Sequence, residues 1–328
     1  MSIQHFSGSV LPLLFLFSNL LMADETPQQD PPEEAPEVEV KGGVRTLGGR
    51  QFWGDIIFFR GWRIQHNVVL GQHRLLDPQD KRHLSGTRGE CEAKLKELRE
   101  QHKLQDMDGK AVILIHGIGR SSKSFYAMKK KLSEQGYTVV GFDYPSTRIS
   151  IPDSTEYLHS VLQSLKGIDS IDVVCHSMGG LLLRAYLMKH KEPRFGRAVM
   201  LGVPNQGARL ADMLKTNPLF KTIMGPAGQQ LVTEGLIEKL PTPEFPFAVI
   251  AGGRDGQKGY NPILPEDNDS TVTVTSTRLP GAADFLLVPV IHSFLMTNDR
   301  CVTATEHFLK HGTLVEGRAA APIKPPQD

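Results

Sequence analysis

Three residues that lie far apart in the chain, each close to an apolar run, could together break an acyl bond. They are Ser177 in VCHSMGG, His292 in VIHSFLM and an aspartate between them. A serine hydroxyl is a poor nucleophile near neutral pH. It attacks a carbonyl only if an imidazole takes its proton and later delivers that proton to the leaving group, and a carboxylate must hold the imidazole in the right tautomer. The string Cys-His-Ser-Met-Gly is close to Gly-x-Ser-x-Gly, a strand-to-helix turn so sharp that only small residues two before and two after the serine let strand and helix approach. Gly179 meets the second requirement, and Cys175 stands where the first glycine would be. A serine beside glycine can also be a plain helix N-cap, a reading that leaves the rest of the pattern unexplained.

For the acid, three aspartates compete: Asp255 in GGRDG, and Asp267 and Asp269 in EDNDSTVTV. Asp255 directly follows the apolar run FAVIAGG, but its surroundings have the Gly and Asp content of a surface turn. Asp269 is followed by alternating Val272 and Val274, which would anchor it beside a buried imidazole. Asp267, with Asn268, is the better candidate for shaping a turn. His307 is the weaker rival to His292 because it sits inside the expected final helix.

These groups need elements to position them. Residues 171–174 form a β-branched strand, and Leu181, Leu182, Ala185 and Met188 fall at helical spacing beyond the serine. AVILIHGIG from Ala111 is a strand ending in a glycine-rich turn, followed by a helix over 121–134, a strand over 137–142 and a helix over 155–165. RAVMLGVP, FAVIAGG and DFLLVPV supply further strands. Strands alternating with helices imply an α/β architecture: a mostly parallel central sheet with helices on both faces and the site at the strands' C-terminal ends.

The chain has 328 residues, 40% of them hydrophobic, and a net charge of +1, which suits a globular protein with no basic footprint for nucleic acid. The three lysines at 129–131 read as a solvated helix face. Residues 10–22 are too short and too interrupted to span a bilayer comfortably. They read as a signal-peptide core with cleavage after Ala23, hence export to the periplasm or beyond; no Lys or Arg precedes them and Leu21 is large for its place. A retained N-terminal anchor is the alternative, and a buried core segment a third reading. Residues 24–47 form an acidic, proline-rich linker expected to be disordered. Order should return near Gly48, in a β-rich extension plus helix over 48–110, where Trp53, Phe58, Phe59 and Trp62 are packing residues. The catalytic unit is expected over 111–312 and a flexible tail over 313–328. Cys91 and Cys301 could pair in an exported protein, and the cysteine spacing gives no metal-site pattern.

IHGIG at 115–119, VCHSMGG at 174–180 and the stretch from Asp269 through TRLPGA to His292 together resemble the α/β-hydrolase superfamily, specifically its lipase-like members such as small secreted bacterial lipases and inositol-deacylase-like lipases. The resemblance covers roughly 111–312. It implies Ser177, Asp269 and His292 as the triad, because Thr277-Arg278-Leu279-x-Gly281-Ala282 resembles the segment joining acid to histidine in those lipases. It also implies an oxyanion hole from the backbone N–H groups of Ile118 and Met178, with Gly117 and Gly119 bringing that loop close. His116 and His176 are read as orienting or packing residues.

On this resemblance the chain is expected to be a serine ester hydrolase, lipase- or carboxylesterase-like, acting on a small-molecule or lipid ester through an acyl-enzyme without organic cofactor or metal. A transient contact with a lipid surface is compatible with such a substrate. An acyltransferase or amidase would use the same triad, and a non-catalytic binding protein of this fold would usually lack a triad member. Residues 204–246 are much longer than an ordinary connection. They read as a cap or lid in which Leu219, Phe220, Ile223 and Met224 would face the acyl chain, or as a packed excursion.

Overall fold

The computed structural model describes residues 44–45, 50–208, 225–231, 233–256, 258–264 and 266–324. At its centre lies a six-stranded sheet made of β6 (Gly109–Ile115), β7 (Thr138–Phe142), β8 (Ile168–His176), β9 (Phe195–Leu201), β10 (Phe247–Gly252) and β11 (Asp284–Val288). The spatial order is β11-β10-β9-β8-β6-β7, and every pairing is parallel. Parallel strands are joined by crossovers that cover both faces, so strand residues are buried on both sides and read as unbroken apolar runs. Ala111, Ile113 and Ile115 pack into one core, while Val112 and Leu114 pack into the other.

The chain leaves β6 for β7 at one edge and returns to β8 on β6's other side, so the direction of travel reverses between β6 and β8. Their C-terminal ends, with Ile115 beside Cys175, therefore open a crevice at the reversal. Into this crevice project the IHGIG turn and Ser177.

Helix α1 (Arg88–Gln101) precedes the sheet and starts with a reciprocal capping box between Thr87 and Glu90. Helix α2 (Tyr126–Glu134) follows a short 3-10 turn, α3 (Ile151–Ser164) is capped by the Ser150 hydroxyl, and α4 (Met178–Lys189) carries the elbow. Helix α5 (Asp299–His311) is capped by Asn298 and stops at Gly312 in the left-handed region.

The 48–110 extension forms a sheet of its own. It contains β2 (Trp53–Phe59), β3 (Trp62–Asn67), β4 (His73–Leu76) and β5 (Lys81–Gly86), which with β1 (Val44–Arg45) form an antiparallel sheet of order β1-β5-β4-β3-β2 with α1 packed on it. Phe58, Phe59 and Trp62 are buried, and Arg74 stacks over Trp53. The sheet docks on the parallel unit through α3, whose Ser164 hydroxyl accepts the Phe58 N–H at 2.9 Å. A second contact is polar: Asp55 N–H donates to the Asp143 carbonyl at 2.9 Å, and Asp143 N–H returns a bond to Asp55 Oδ2 at 2.8 Å. Arg63 reaches Asp143 Oδ2 at 2.7 Å and also pairs with Asp80. Burial pushes the Asp55 carboxyl up to about 7, whereas the Arg63 guanidinium holds Asp143 below the usual carboxylate range against its own burial.

Three expectations from the sequence change. Within the span expected to be a disordered linker, Val44 and Arg45 instead form β1 and pair with Arg82 and Lys81 of β5. That pairing uses only the main chain of a strand edge, so no apolar pattern announces it. The C-terminal segment is not a flexible tail over 313–324. Leu314 is buried, the N–H groups of Leu314 and Ala321 donate to the Asp284 carboxylate at 2.7 and 2.8 Å, and Ile323 exchanges main-chain bonds with Gly281 and Ala282. Finally, Cys91 and Cys301 are both free and lie in the two different cores, on opposite sides of the parallel sheet, so they cannot form a disulfide. Residues 1–23, the expected signal peptide, fall outside the described residues.

Candidate active site

Ser177 follows β8 and precedes α4 with φ 53° and ψ −128°. A non-glycine residue held there costs about 1–3 kcal/mol, which the surroundings must over-determine. They do so through the main chain: Ser177 N–H donates to the Leu201 carbonyl at 2.9 Å, and its own carbonyl accepts from Gly180 N–H at 3.0 Å. Gly179 is required because a Cβ there would lie 2.3 Å from the Ile115 carbonyl oxygen and 2.7 Å from that of His116. Cys175 is wholly buried in β8, where burial pushes its thiol far up and keeps it neutral.

His292 begins a short 3-10 turn after β11, and its Nε2 lies 2.9 Å from Ser177 Oγ. Its Nδ1 lies 2.6 Å from Asp269 Oδ2, so the proton sits on Nδ1 and the Nε2 lone pair faces the hydroxyl. Asp269 is fully buried, and its Oδ1 accepts the N–H groups of Thr271 at 3.0 Å and Val272 at 2.7 Å. Its main-chain carbonyl also accepts His292 N–H at 2.7 Å, closing the loop after β10 onto the turn after β11. Asp255 stands in an exposed turn with φ 58°, and Asp267 uses both oxygens on the N–H groups of Arg254, Gly256 and Asn268. His307 Nδ1 donates to the Thr313 carbonyl at 2.6 Å, within the C-terminal region. The geometry therefore brings Ser177, His292 and Asp269 together and leaves the three rivals in other roles.

The IHGIG turn lies against the serine: a Cβ on Gly117 would come within 2.9 Å of Ser177 Cβ. Arg120 N–H closes the turn on the Gly117 carbonyl at 3.3 Å, with Gly119 at φ +70°, as the third residue of a type II turn requires. His116 Nδ1 donates to the same carbonyl at 2.8 Å, its Nε2 faces Tyr144 N–H at 3.5 Å, and its ring stacks on Tyr144 at 4.4 Å. Because carbonyl and N–H of a trans peptide point in opposite directions, fixing the Gly117 carbonyl fixes the Ile118 N–H. Among the described residues neither the Ile118 nor the Met178 N–H has an acceptor, and Met178 is the first residue of α4, where helix N–H groups are left over.

His176 faces the other side of the site. Its Nε2–H donates to the His292 carbonyl at 3.1 Å, its ring lies 4.6 Å from that of His292, and its buried Nδ1 has no partner among the described residues. Burial first, then the neighbouring His292 and Arg120, hold its basicity well below the usual imidazole range. The folded state therefore binds this proton less tightly than the unfolded chain, and stability is lost as pH falls below about 6.5, the unfolded value. Denaturant unfolding followed from pH 8 to 5 should show that loss, and His176→Gln should flatten it. An unchanged slope in the variant would remove His176 as its source.

Sequence reasoning missed two positions. Gly202, after β9 at φ +54°, would carry a Cβ 3.1 Å from both Asp269 Oδ2 and His292 Nδ1, so it keeps the acid–imidazole bond free of obstruction. Gly252 would place a Cβ 2.7 Å from that of Asp269. A glycine at the end of each of two neighbouring strands was the available signal. Of the 204–246 insertion, Leu219, Phe220, Ile223 and Met224 lie outside the described residues, while Gln230 accepts the Ile151 N–H at 2.7 Å and Leu231 accepts that of Ala208 at 2.9 Å. Among the described residues no group of three or more His, Cys, Asp or Glu side chains could hold a metal ion.

A family described as a domain of unknown function, DUF7379, matches residues 83–239. Among solved structures, the mature form of Bacillus licheniformis lipase BlEst2 is 21% identical over 62% of this chain and 91% of that one, with a TM-score of 0.51. Its propeptide form is 20% identical over 64% of this chain and 52% of that one, with a TM-score of 0.54. At this identity the likeness speaks for architecture alone. Together with the six-stranded parallel sheet, it shows that the chain has the α/β-hydrolase fold.

Proposed function

We propose that this protein is a serine ester hydrolase, lipase- or carboxylesterase-like, that works through an acyl-enzyme on Ser177. One observation carries the reading: the unbroken relay from Ser177 Oγ to His292 Nε2 at 2.9 Å and from His292 Nδ1 to Asp269 Oδ2 at 2.6 Å, with the serine strained at the sheet's reversal point. The naming of its structural neighbours as lipases is consistent with it.

In the proposed reaction, Ser177 Oγ attacks the ester carbonyl carbon as His292 Nε2 takes its proton, and Asp269 stabilises the imidazolium. The resulting oxyanion accepts hydrogen bonds from the Ile118 and Met178 N–H groups. Collapse breaks the bond to the alkoxide oxygen, which leaves as the alcohol with the proton from His292. Water, deprotonated by the same imidazole, then attacks the acyl carbon and releases the carboxylic acid and the free serine. No organic cofactor or metal enters these steps.

We also propose export directed by residues 10–22. Among the described residues no helix is long and apolar enough to cross a membrane. One experiment addresses both proposals. Protein from the native host, treated with a fluorophosphonate, should carry the label on Ser177 and begin near Asp24, and p-nitrophenyl esters of increasing acyl length should report the chain length it prefers. Label on another residue, or none, would overturn the hydrolase reading, and an intact Met1 would overturn cleavage.

A further inference from the structure

We propose that Gln51, supplied by the N-terminal extension, is a positioning residue for the oxyanion turn at 117–120. The proposal rests on the hydrolase reading above and gives the antiparallel extension a role in that chemistry.

Gln51 lies in the short 3-10 turn Arg50–Phe52 that leads into β2, outside the parallel sheet. Its side chain nevertheless reaches the oxyanion turn by two routes. Nε2 donates to the Arg120 carbonyl at 3.1 Å. Oε1 accepts the Ser146 hydroxyl at 2.9 Å and the Thr147 hydroxyl at 3.2 Å, and Ser146 Oγ in turn accepts the Gly119 N–H at 3.0 Å. The amide thus closes a ring around the Gly119–Arg120 backbone, one route direct and one through Ser146, which is fully buried. The two ends of the amide do opposite jobs. The oxygen side can only accept the two hydroxyls, and the nitrogen side can only donate to the carbonyl, so neither a carboxylate nor an apolar side chain reproduces both.

The consequence for the turn follows from its geometry. Type I and type II turns differ by a flip of the peptide between their second and third residues, here Ile118 and Gly119. The bond from Gly119 N–H to Ser146 fixes that peptide in one of the two orientations. The bond from Gln51 to the Arg120 carbonyl holds Arg120 where its own N–H reaches the Gly117 carbonyl, and that contact aims the Ile118 N–H. An oxyanion donor is effective because it is already oriented when charge develops. Gln51 and Ser146 supply that orientation without touching substrate.

The support is itself anchored. The exchange between the main chain and carboxylates of Asp55 and Asp143, with Arg63 bridging, clamps β2 to the end of β7. Asp143 also accepts the Ser122 N–H at 2.6 Å, two residues beyond the turn. The extension therefore grips the segment after the turn and, through Gln51, the turn itself.

The test compares full-length wild type with Gln51→Met, Gln51→Glu, Ser146→Ala and the Gln51→Met/Ser146→Ala double variant. The measurements are kcat and KM on p-nitrophenyl butyrate, affinity for an alkyl boronic acid that forms a tetrahedral adduct on the serine, and thermal midpoint. Gln51→Met should lower kcat by about 10- to 50-fold, less than the 10²–10³ of an outright lost donor. KM should stay within threefold, and boronate affinity should fall in parallel with kcat. Ser146→Ala should do the same and the double variant no worse than about twice either single, because both break one ring. Gln51→Glu, which keeps the acceptor side, should lie between. A staple that only joins extension to body would lower the thermal midpoint and leave kcat and boronate affinity alone, and that result overturns the proposal. So does unchanged kcat in Ser146→Ala, which decides the matter should the Gln51 variants fail to fold. A wild-type chain that neither hydrolyses the ester nor takes the fluorophosphonate overturns the hydrolase reading and this inference with it, whereas an active wild type with an equally active Gln51→Met overturns this inference alone.

Discussion

Ser177→Ala is expected to lower kcat for ester hydrolysis by about 10⁶-fold while leaving the fold intact. The hydroxyl is the attacking atom, and no second hydroxyl stands within reach of His292 Nε2 in the described site. Alanine keeps the same backbone demand at φ 53°, so the turn's strain is unchanged. What is lost besides the nucleophile is one hydrogen bond, leaving a buried imidazole nitrogen short of its partner at a cost of about 1–3 kcal/mol unless water replaces it. Steady-state turnover on a short p-nitrophenyl ester, with circular dichroism and thermal unfolding on the same sample, measures both parts. Turnover above about one per cent of wild type would mean that another residue carries the attack.

Asp269→Asn should lower kcat by about 10⁴-fold, and the direction of its effect can be read from the acid's own hydrogen bonds. Oδ1 accepts two main-chain N–H groups, from Thr271 and Val272. An asparagine must therefore put its carbonyl oxygen there, which turns its NH₂ toward His292 Nδ1 in the place of Oδ2. Nδ1 is then forced to accept, the ring proton moves to Nε2, and the imidazole confronts Ser177 with a donor where it needs a lone pair. Loss of kcat with KM nearly unchanged is the expected signature. Asp255→Asn and Asp267→Asn serve as controls and should cost tenfold or less: the first sits in a surface turn, and the second keeps an acceptor oxygen for the Arg254 and Asn268 N–H groups and loses only the 3.3 Å bond from Gly256. Should Asp255→Asn prove the crippling change, the acid would have to come from the turn directly after β10.

How much of this was legible in the sequence depends on how local each feature is. The parallel strands were, because burial on both faces writes them as continuous apolar runs such as AVILI and FAVIAG. The serine turn was, because strand, small residues and helix follow one another within a few positions. The extension was legible only in part. Its strands β4, HRLL, and β5, KRHLSG, carry charges that find partners in space rather than in sequence, so no period-two pattern marks them. Asp269 was favoured over Asp255 by the Val272 and Val274 that follow it and by the resemblance of the segment running to His292, whereas the way the loop after β10 folds back, seen in the main-chain bond from His292 N–H to the Asp269 carbonyl, left no trace in local composition. Gln51 gave no signal at all, since its partners are 69 and 95 positions away. Residues 313–324 misled for the opposite reason. Their small residues and Pro322 look like a tail, yet they satisfy the Asp284 carboxylate with main-chain N–H groups that any sequence could offer.

That C-terminal segment also bears on what the molecule avoids. Among the described residues strand β11 is the last in its sheet, paired on one side with β10. An outermost strand offers a row of unpaired donors and acceptors that another chain could extend into a shared, growing sheet. Here the beginning of that edge is already claimed. Ile323 bonds to the main chain at Gly281 and Ala282, Arg318 pairs with Asp284, and the Asp284 carboxylate lies wholly buried at the strand's first position. A charged group fixed at the entry and a returning segment beside it make this border a poor template for self-association. Residues 314–323 thereby guard colloidal behaviour at a place remote from any acyl chemistry.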